Sequence, residues 1–321
     1  MSLPPDVLDL ARLHRLRQQQ LARMAVGEVR TRWATISASN VTAGWSAIAP
    51  TIEALVTAAQ AEATRGVQEY VAAAVRMQGA DPAPAGQVLG RSLAGVASDG
   101  RDLSGLLGYP AFQVDAFVDG GMPTAQALGI GLRHLDRIVL TQIQDAARVG
   151  TGVAIVNDRR AAGYIRVTTP PSCSRCAILA GVWYSHSAGF RRHPQCDCTS
   201  APATDEVEPQ SPKALFDAMS PSELRKAGWT DADVKAINEG ADLGQVTNTH
   251  RGLRSMSVAG QRLQVTGQGA TRRGFAGQRL GARKGASAIR LTPESIYSEA
   301  ERLGWSRDET IRALKANGYI I

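Results

Sequence analysis

The stretch Cys173–Cys198, CSRCAILAGVWYSHSAGFRRHPQCDC, separates a part of the chain that reads as helix from a part that does not. It holds all four cysteines of the 321 residues and two of the five histidines, His186 and His193. The cysteines form two pairs, Cys173-x2-Cys176 and Cys196-x-Cys198, with His193 just ahead of the second pair. Two pairs so spaced are a zinc pattern, because Zn²⁺ takes four soft or borderline ligands in a tetrahedron and a turn presents Cys-x2-Cys to one side of it. The second pair is tighter than usual, although alternate residues of an extended chain do point to the same side. The candidate metal set is therefore Cys173, Cys176, Cys196 and either Cys198 or His193. A closed site of this kind would be structural zinc, stapling a small module that lacks a core of its own. Packed reduced thiols, and disulfides closed on oxidation, remain as alternatives.

Outward from the cysteines, YIRVTT (164–169) and VWY (182–184) are short β-prone runs. They predict a small hairpin-like module over residues 161–204. Upstream, residues 1–160 read as a helical domain. Apolar residues recur at helical steps through Ile52, Leu55, Val56, Val67, Tyr70, Val71 and Val75, ending at Gly79. A second long helix is expected from Phe112 to Arg160, opening near GGMPTAQA, with Leu132, Leu135, Ile138, Val139 and Ile143 on one face. Arg12, Arg15, Arg17, Arg23 and Arg30 read as a solvated face in preference to a phosphate site.

Downstream, residues 205–242 hold an acidic, proline-bearing linker and two short helices. Ser220 with Glu223 is a capping-box signature, and Thr230 precedes a helix that Gly240 would end. Residues 243–291 contain no acidic residue and are rich in glycine, which predicts a flexible basic arm. Its cations are Arg251, Arg254, Arg262, Arg272, Arg273, Arg279, Arg283, Lys284 and Arg290. Such an arm suits nucleic-acid phosphates or an acidic protein surface equally. Residues 292–321 form a C-terminal helical pair, with Thr292–Pro293 and Ser306–Glu309 as start signals. The expected fold class is mainly α with a small β-hairpin module, an α+β chain.

Composition narrows the functional classes. The chain is 44% hydrophobic and 20% charged, which is globular, and a net charge of +7 favours an acidic partner. No apolar run is long enough to span a bilayer and no secretory signal opens the chain, so a soluble product made in the cytoplasm, with no membrane partner, is expected. There is no Gly-x-Ser-x-Gly elbow (GRSLAG at 90–95 does not fit) and no His-Glu-x-x-His helix. No catalytic residue is assigned, and a non-enzymatic role is preferred.

The cysteine stretch resembles the core motif of the phage Mu F-like head morphogenesis proteins. In that motif Cys-x2-Cys and a Leu-x-Gly turn (Leu179–Gly181) lead to an aromatic strand (Trp183, Tyr184) and a His-Pro-x-Cys-x-Cys ending (His193, Pro194, Cys196, Cys198). The downstream AINEGADLGQVTNTHRG, GATRRGFAG, RLTPESIYSEAERLG and ALKANGYI are similar to the version found in phages of actinobacteria. The resemblance implies a minor capsid protein, in few copies inside the virion near the portal, assisting capsid assembly or DNA packaging and ejection. Portal protein, major capsid or scaffold protein, and packaged double-stranded DNA are the partners it implies. Members are often labelled capsid maturation proteases, so cleavage of scaffold or capsid protein is the alternative activity.

Overall fold

The left-handed turn at Gly66 (φ +78°) decides how the first half of the chain is organised. The computed structural model describes residues 3–168, 172–190, 198–208, 211–258, 260–283 and 288–320. Its helices are α1 (Pro5–Trp33), α2 (Val41–Ala63), α3 (Val67–Met77), α4 (Leu103–Asp119) and α5 (Thr124–Asn157), with a 3₁₀ turn at Gly90–Leu93. Asn40 and Asp102 cap α2 and α4 by accepting from the N–H groups of Ala43 and Gly105. The apolar spacing from Ile52 to Val75 reads as one helix, but Gly66 breaks it. Ile52 and Val56 consequently pack in one core, while Val67, Tyr70, Val71 and Val75 pack in another.

The chain divides into two units, Met1–Thr169 with Gly181–Pro209, and Pro170–Ala180 with Gln210–Ile321. The first unit has two cores. One joins α1, α2, α4 and α5 through Trp33, Ile52, Val56, Leu107, Val114, Leu135 and Ile143. A fully buried aliphatic side chain of this kind contributes roughly 1.5–3 kcal/mol. The helices approach closely at Gly131 of α5, where an added Cβ would stand 2.5 Å from Val114 and 3.0 Å from Trp33.

The other core packs α1, α3 and the end of α5 on an antiparallel sheet of β1 (Gly163–Thr168), β2 (Trp183–Ser185) and β3 (Cys198–Ala203), ordered β2-β1-β3. The two β-prone runs are thus strands, with β3 added beyond β1. The arginines of α1 are not all solvated. Arg15 is fully buried and donates to Gln144 Oε1 at 3.0 Å, and Arg30 holds Asp136 Oδ2 through Nε and Nη2 at 3.0 and 2.8 Å.

The second unit contains α6 (Ser174–Ala177), α7 (Pro212–Asp217), α8 (Pro221–Lys226), α9 (Asp231–Asn238), α10 (Leu243–Asn248), α11 (Phe275–Arg279), α12 (Pro293–Leu303) and α13 (Arg307–Ala316). Capping boxes form at Ser220–Glu223, Thr230–Asp233 and Ser306–Glu309. Phe216, Trp229, Ile237, Val246, Ile296, Leu314 and Tyr319 make its core.

Residues 243–291 are not an extended arm in the structure. They form α10, α11 and a second antiparallel sheet of β4 (Arg254–Val258), β5 (Gln261–Thr266) and β6 (Arg290–Leu291), ordered β4-β5-β6. The physical reason is the alternation over 262–265 of β5, where Leu263 and Val265 are buried and Arg262 and Gln264 exposed, while Gly252, Gly260, Gly269 and Gly281 take the left-handed turns between elements. The fold is mainly α with small β elements. Among the described residues, no helix is long and apolar enough to cross a membrane.

Candidate functional site

Cys173 is the N-cap of α6 and Cys176 lies within its single turn, so the pair sits three residues apart on one turn of helix, a spacing that brings side chains to one face. Cys173 is half-buried and Cys176 is buried. The turn is fixed by Ser174, whose N–H donates to the Ala227 carbonyl at 2.7 Å. Burial and the nearby Arg251 push the Arg175 pKa down, while Cys173 and Cys176 push it up. Both cysteines belong to the second unit; Cys198 belongs to the first. His193 and Cys196 lie outside the described residues. Among the described residues, no group of three or more His, Cys, Asp or Glu side chains has metal-holding geometry.

Cys198 is buried at the start of β3, paired in register with Thr168. Its carbonyl accepts from Arg148 Nε at 2.9 Å, and Arg148 also pairs with Asp145 at 2.9 Å. On the same sheet Tyr164 of β1 stacks on Tyr184 of β2 at 5.4 Å, and Phe190 packs against both. Arg166 of β1 is buried with its guanidinium 4.4 Å from the Phe190 ring centroid. His186, the other histidine of the stretch, is exposed and its Nδ1 lies 3.3 Å from the Ala162 carbonyl.

A cavity of about 880 Å³ in the first unit lies where the 98–102 loop meets α4 and α5, and Ser98, His134 and Asp145 all line it. The hydrogen bonds described for them do not join them as a hydrolytic triad. His134 Nδ1 donates to Gln113 Oε1 at 2.5 Å, the backbone N–H of Ser98 donates to Gln142 Oε1 at 2.7 Å, and Asp145 pairs with Arg148. A nucleophile needs its base within hydrogen-bond reach.

The cations of residues 243–291 divide sharply. Arg251, Arg254, Arg262, Arg272, Arg273, Arg279 and Arg283 are all exposed, and Lys284 lies outside the described residues. Among the described residues none of the seven forms an ion pair. Arg290 is different. It is buried, its Nη2 donates to the Gln245 and Gln268 carbonyls at 3.2 and 3.0 Å, and its Nη1 reaches the Asn317 and Gly318 carbonyls at 3.4 Å. Its guanidinium also lies 4.4 Å from the Tyr319 ring centroid. Sequence position gave no sign of this role, although the short apolar alternation around Leu263 and Val265 did carry the signal of the strand it supports.

The β4–β5 ribbon places Ser255 opposite Gln264 and Ser257 opposite Arg262. Paired and alternate residues share a face of a sheet, so these four side chains form one face, and all four are exposed. The other face carries Leu263 and Val265 inward on β5, while Arg254 and Met256, their register partners on the edge strand β4, are exposed. The ribbon is anchored to α12 by Ser295, whose Oγ accepts from the Gln264 N–H and donates to the Gln264 carbonyl, both at 2.9 Å.

A family model described as VG15 protein matches residues 5–222, more than half of the chain. The match takes in the cysteine stretch and ends before the arginine-bearing sheet. No curated protein and no solved structure matches the chain.

Proposed function

Because the chain belongs to the VG15 protein family, whose name points to a phage gene product, we propose that it is a minor structural protein of a tailed-phage head. In this reading it sits in few copies inside the capsid near the portal, meets portal protein and major capsid or scaffold protein, and assists capsid assembly or DNA packaging and ejection. The observation that carries the reading is a helical body together with a separate unit in which the seven exposed arginines of residues 243–291 form no ion pair among the described residues. A protein lodged against packaged DNA has use for that surface. The cysteine stretch serves as a structural element, with zinc the group that its thiolates and imidazole would hold. Maturation proteolysis is the second reading, favoured only by the presence of Ser98, His134 and Asp145 around one cavity.

The test is co-expression with portal, scaffold and major capsid proteins of the same genome, followed by intact masses of every protein in the purified particles. A few copies per particle with all other masses unchanged is the expected result, and absence from the particles sinks the head-protein reading. Scaffold or capsid termini trimmed only in the presence of this chain would establish the protease instead. Replacing Cys173 and Cys176 together by Ser should abolish incorporation; normal incorporation of that variant removes the structural role of the pair.

A further inference from the structure

We propose that the β4–β5 ribbon of the second unit is a binding site for duplex DNA, laid in a groove with its arginines on the flanking phosphates. The inference rests on the head-protein reading only for the source of the duplex, packaged DNA; the surface itself stands on its own geometry. A two-stranded antiparallel ribbon fits the major groove, which is about 12 Å wide. Here the outward face of the ribbon is polar at every described position, Ser255, Ser257, Arg262 and Gln264, each able to donate a hydrogen bond to a phosphate or base edge. The inward face buries Leu263 and Val265, so the ribbon cannot turn its polar side away from solvent without exposing them.

Four features favour a duplex over other acidic partners. The exposed cations described are all arginine, whose planar fork matches phosphate geometry in a way that a lysine point charge does not. No Asp or Glu occurs from Leu243 to Pro293, so the segment itself carries no charge that repels a phosphate backbone. Phe275 is the sole aromatic residue of 243–291 and is not exposed, which removes the stacking platform that single strands need. An acidic protein partner would want an apolar or aromatic anchor at the centre of the contact, and the outward ribbon face has none.

The experiment is fluorescence anisotropy of the full chain with a labelled duplex of arbitrary sequence, titrated at several salt concentrations. Binding should weaken steeply with salt, and the variant Arg262→Gln, the arginine of the outward ribbon face, should reduce the slope of log K against log salt by about 1. The matched variant Arg23→Gln removes the same charge from an exposed helical position of the first unit and should leave the slope unchanged. Circular dichroism confirms that both variants are folded. No binding at low salt, equal losses from the two variants, tighter binding of a single strand, or polyglutamate competing as well as duplex at equal charge would each overturn the proposal. Failure of the two readings is separable: a chain that binds duplex but is missing from heads loses only the head-protein role, and a chain found in heads that ignores duplex loses only this site.

Discussion

The two three-stranded sheets of this chain have the same order of magnitude of backbone and opposite exposure. In β1 of the first sheet, five successive residues, Gly163 to Val167, are buried, so the strand is covered on both faces. In β5 of the second, burial alternates and one face is left to solvent. The first sheet is a scaffold, closed by α1 and α3 and by its own aromatic cluster. The second is a display surface. Each nevertheless has one buried arginine stacked on a ring, Arg166 on Phe190 and Arg290 on Tyr319. An arginine's charge therefore says little about its role; its place in the ladder decides whether it serves the fold or a partner.

The largest effect expected from this contrast is at Arg290. Replacing it by Ala would strip four backbone carbonyls of their donor and open a void beside Tyr319, with a loss of roughly 3–5 kcal/mol. The same kind of change at exposed Arg262 should stay within about 0.5 kcal/mol. Chemical denaturation with hydrogen exchange over residues 243–320 measures both. A loss at Arg290→Ala no larger than at Arg262→Gln would erase the distinction between structural and displayed arginines.

The two units should also answer acid with opposite signs. His14 in the first unit is stacked on Tyr70 at 4.0 Å, and its pKa is lowered from 6.5 to about 4 by burial first and by Arg17 and Arg15 next. Its imidazole is neutral when folded, so the unfolded chain takes up the proton first. Stability is then full above pH 6.5 and falls as pH drops from about 6.5 to about 4, by up to roughly 3 kcal/mol. In the second unit, His250 Nε2 lies 2.8 Å from Asp233 Oδ2, and that hydrogen bond raises its pKa against the opposing cost of burial. This contribution is present below the unfolded pKa and is lost as pH rises through the folded value. Hydrogen exchange of α1 and α10 across pH 4 to 8 should show protection moving in opposite directions. His14→Gln should flatten the first trend, and Asp233→Asn should flatten the second.

Much of this organisation is legible in the residues, for definite reasons. Capping boxes at Ser220, Thr230 and Ser306 are local chemistry, set by side chains three residues apart, and all three form. The strands β1 (Gly163–Thr168) and β2 (Trp183–Ser185) fall on the short β-prone runs read from the sequence. What escapes local reading is long-range. The break at Gly66 comes from one backbone conformation inside an unbroken apolar pattern. The burial of Arg15 depends on Gln144, far along the chain. The sheet of residues 254–291 is hidden because its glycines, counted together, resemble a flexible segment, whereas placed at turns they shape a hairpin. Of the proposed metal ligands, Cys173, Cys176 and Cys198 fall on defined elements, and their spacing alone could not tell that α6 belongs to one unit and β3 to the other.

The smallest effect tests how each sheet is tied to the helix beside it. In the second unit Ser295 Oγ makes two bonds to the backbone of Gln264, so Ser295→Ala should cost about 1–2 kcal/mol. In the first unit the tie from α3 runs from the Tyr70 hydroxyl to the Ser200 carbonyl of β3 at 2.8 Å, beside bonds from Gln78 Nε2 to the Pro202 carbonyl and from Arg148 Nε to the Cys198 carbonyl. Burial pushes the Tyr70 pKa far above its usual range, so the hydroxyl keeps its proton and remains a donor at any pH of interest. Tyr70→Phe deletes that bond while keeping the ring on His14, and should cost about 1 kcal/mol. The order matters more than either value. A sheet covered on both faces is held chiefly by packing and can lose a polar tie cheaply, whereas a sheet with one face in solvent depends on such ties for its position. If Tyr70→Phe proves costlier than Ser295→Ala in denaturant unfolding, the first sheet is held by that hydrogen bond and not by burial, and the division into scaffold and display fails.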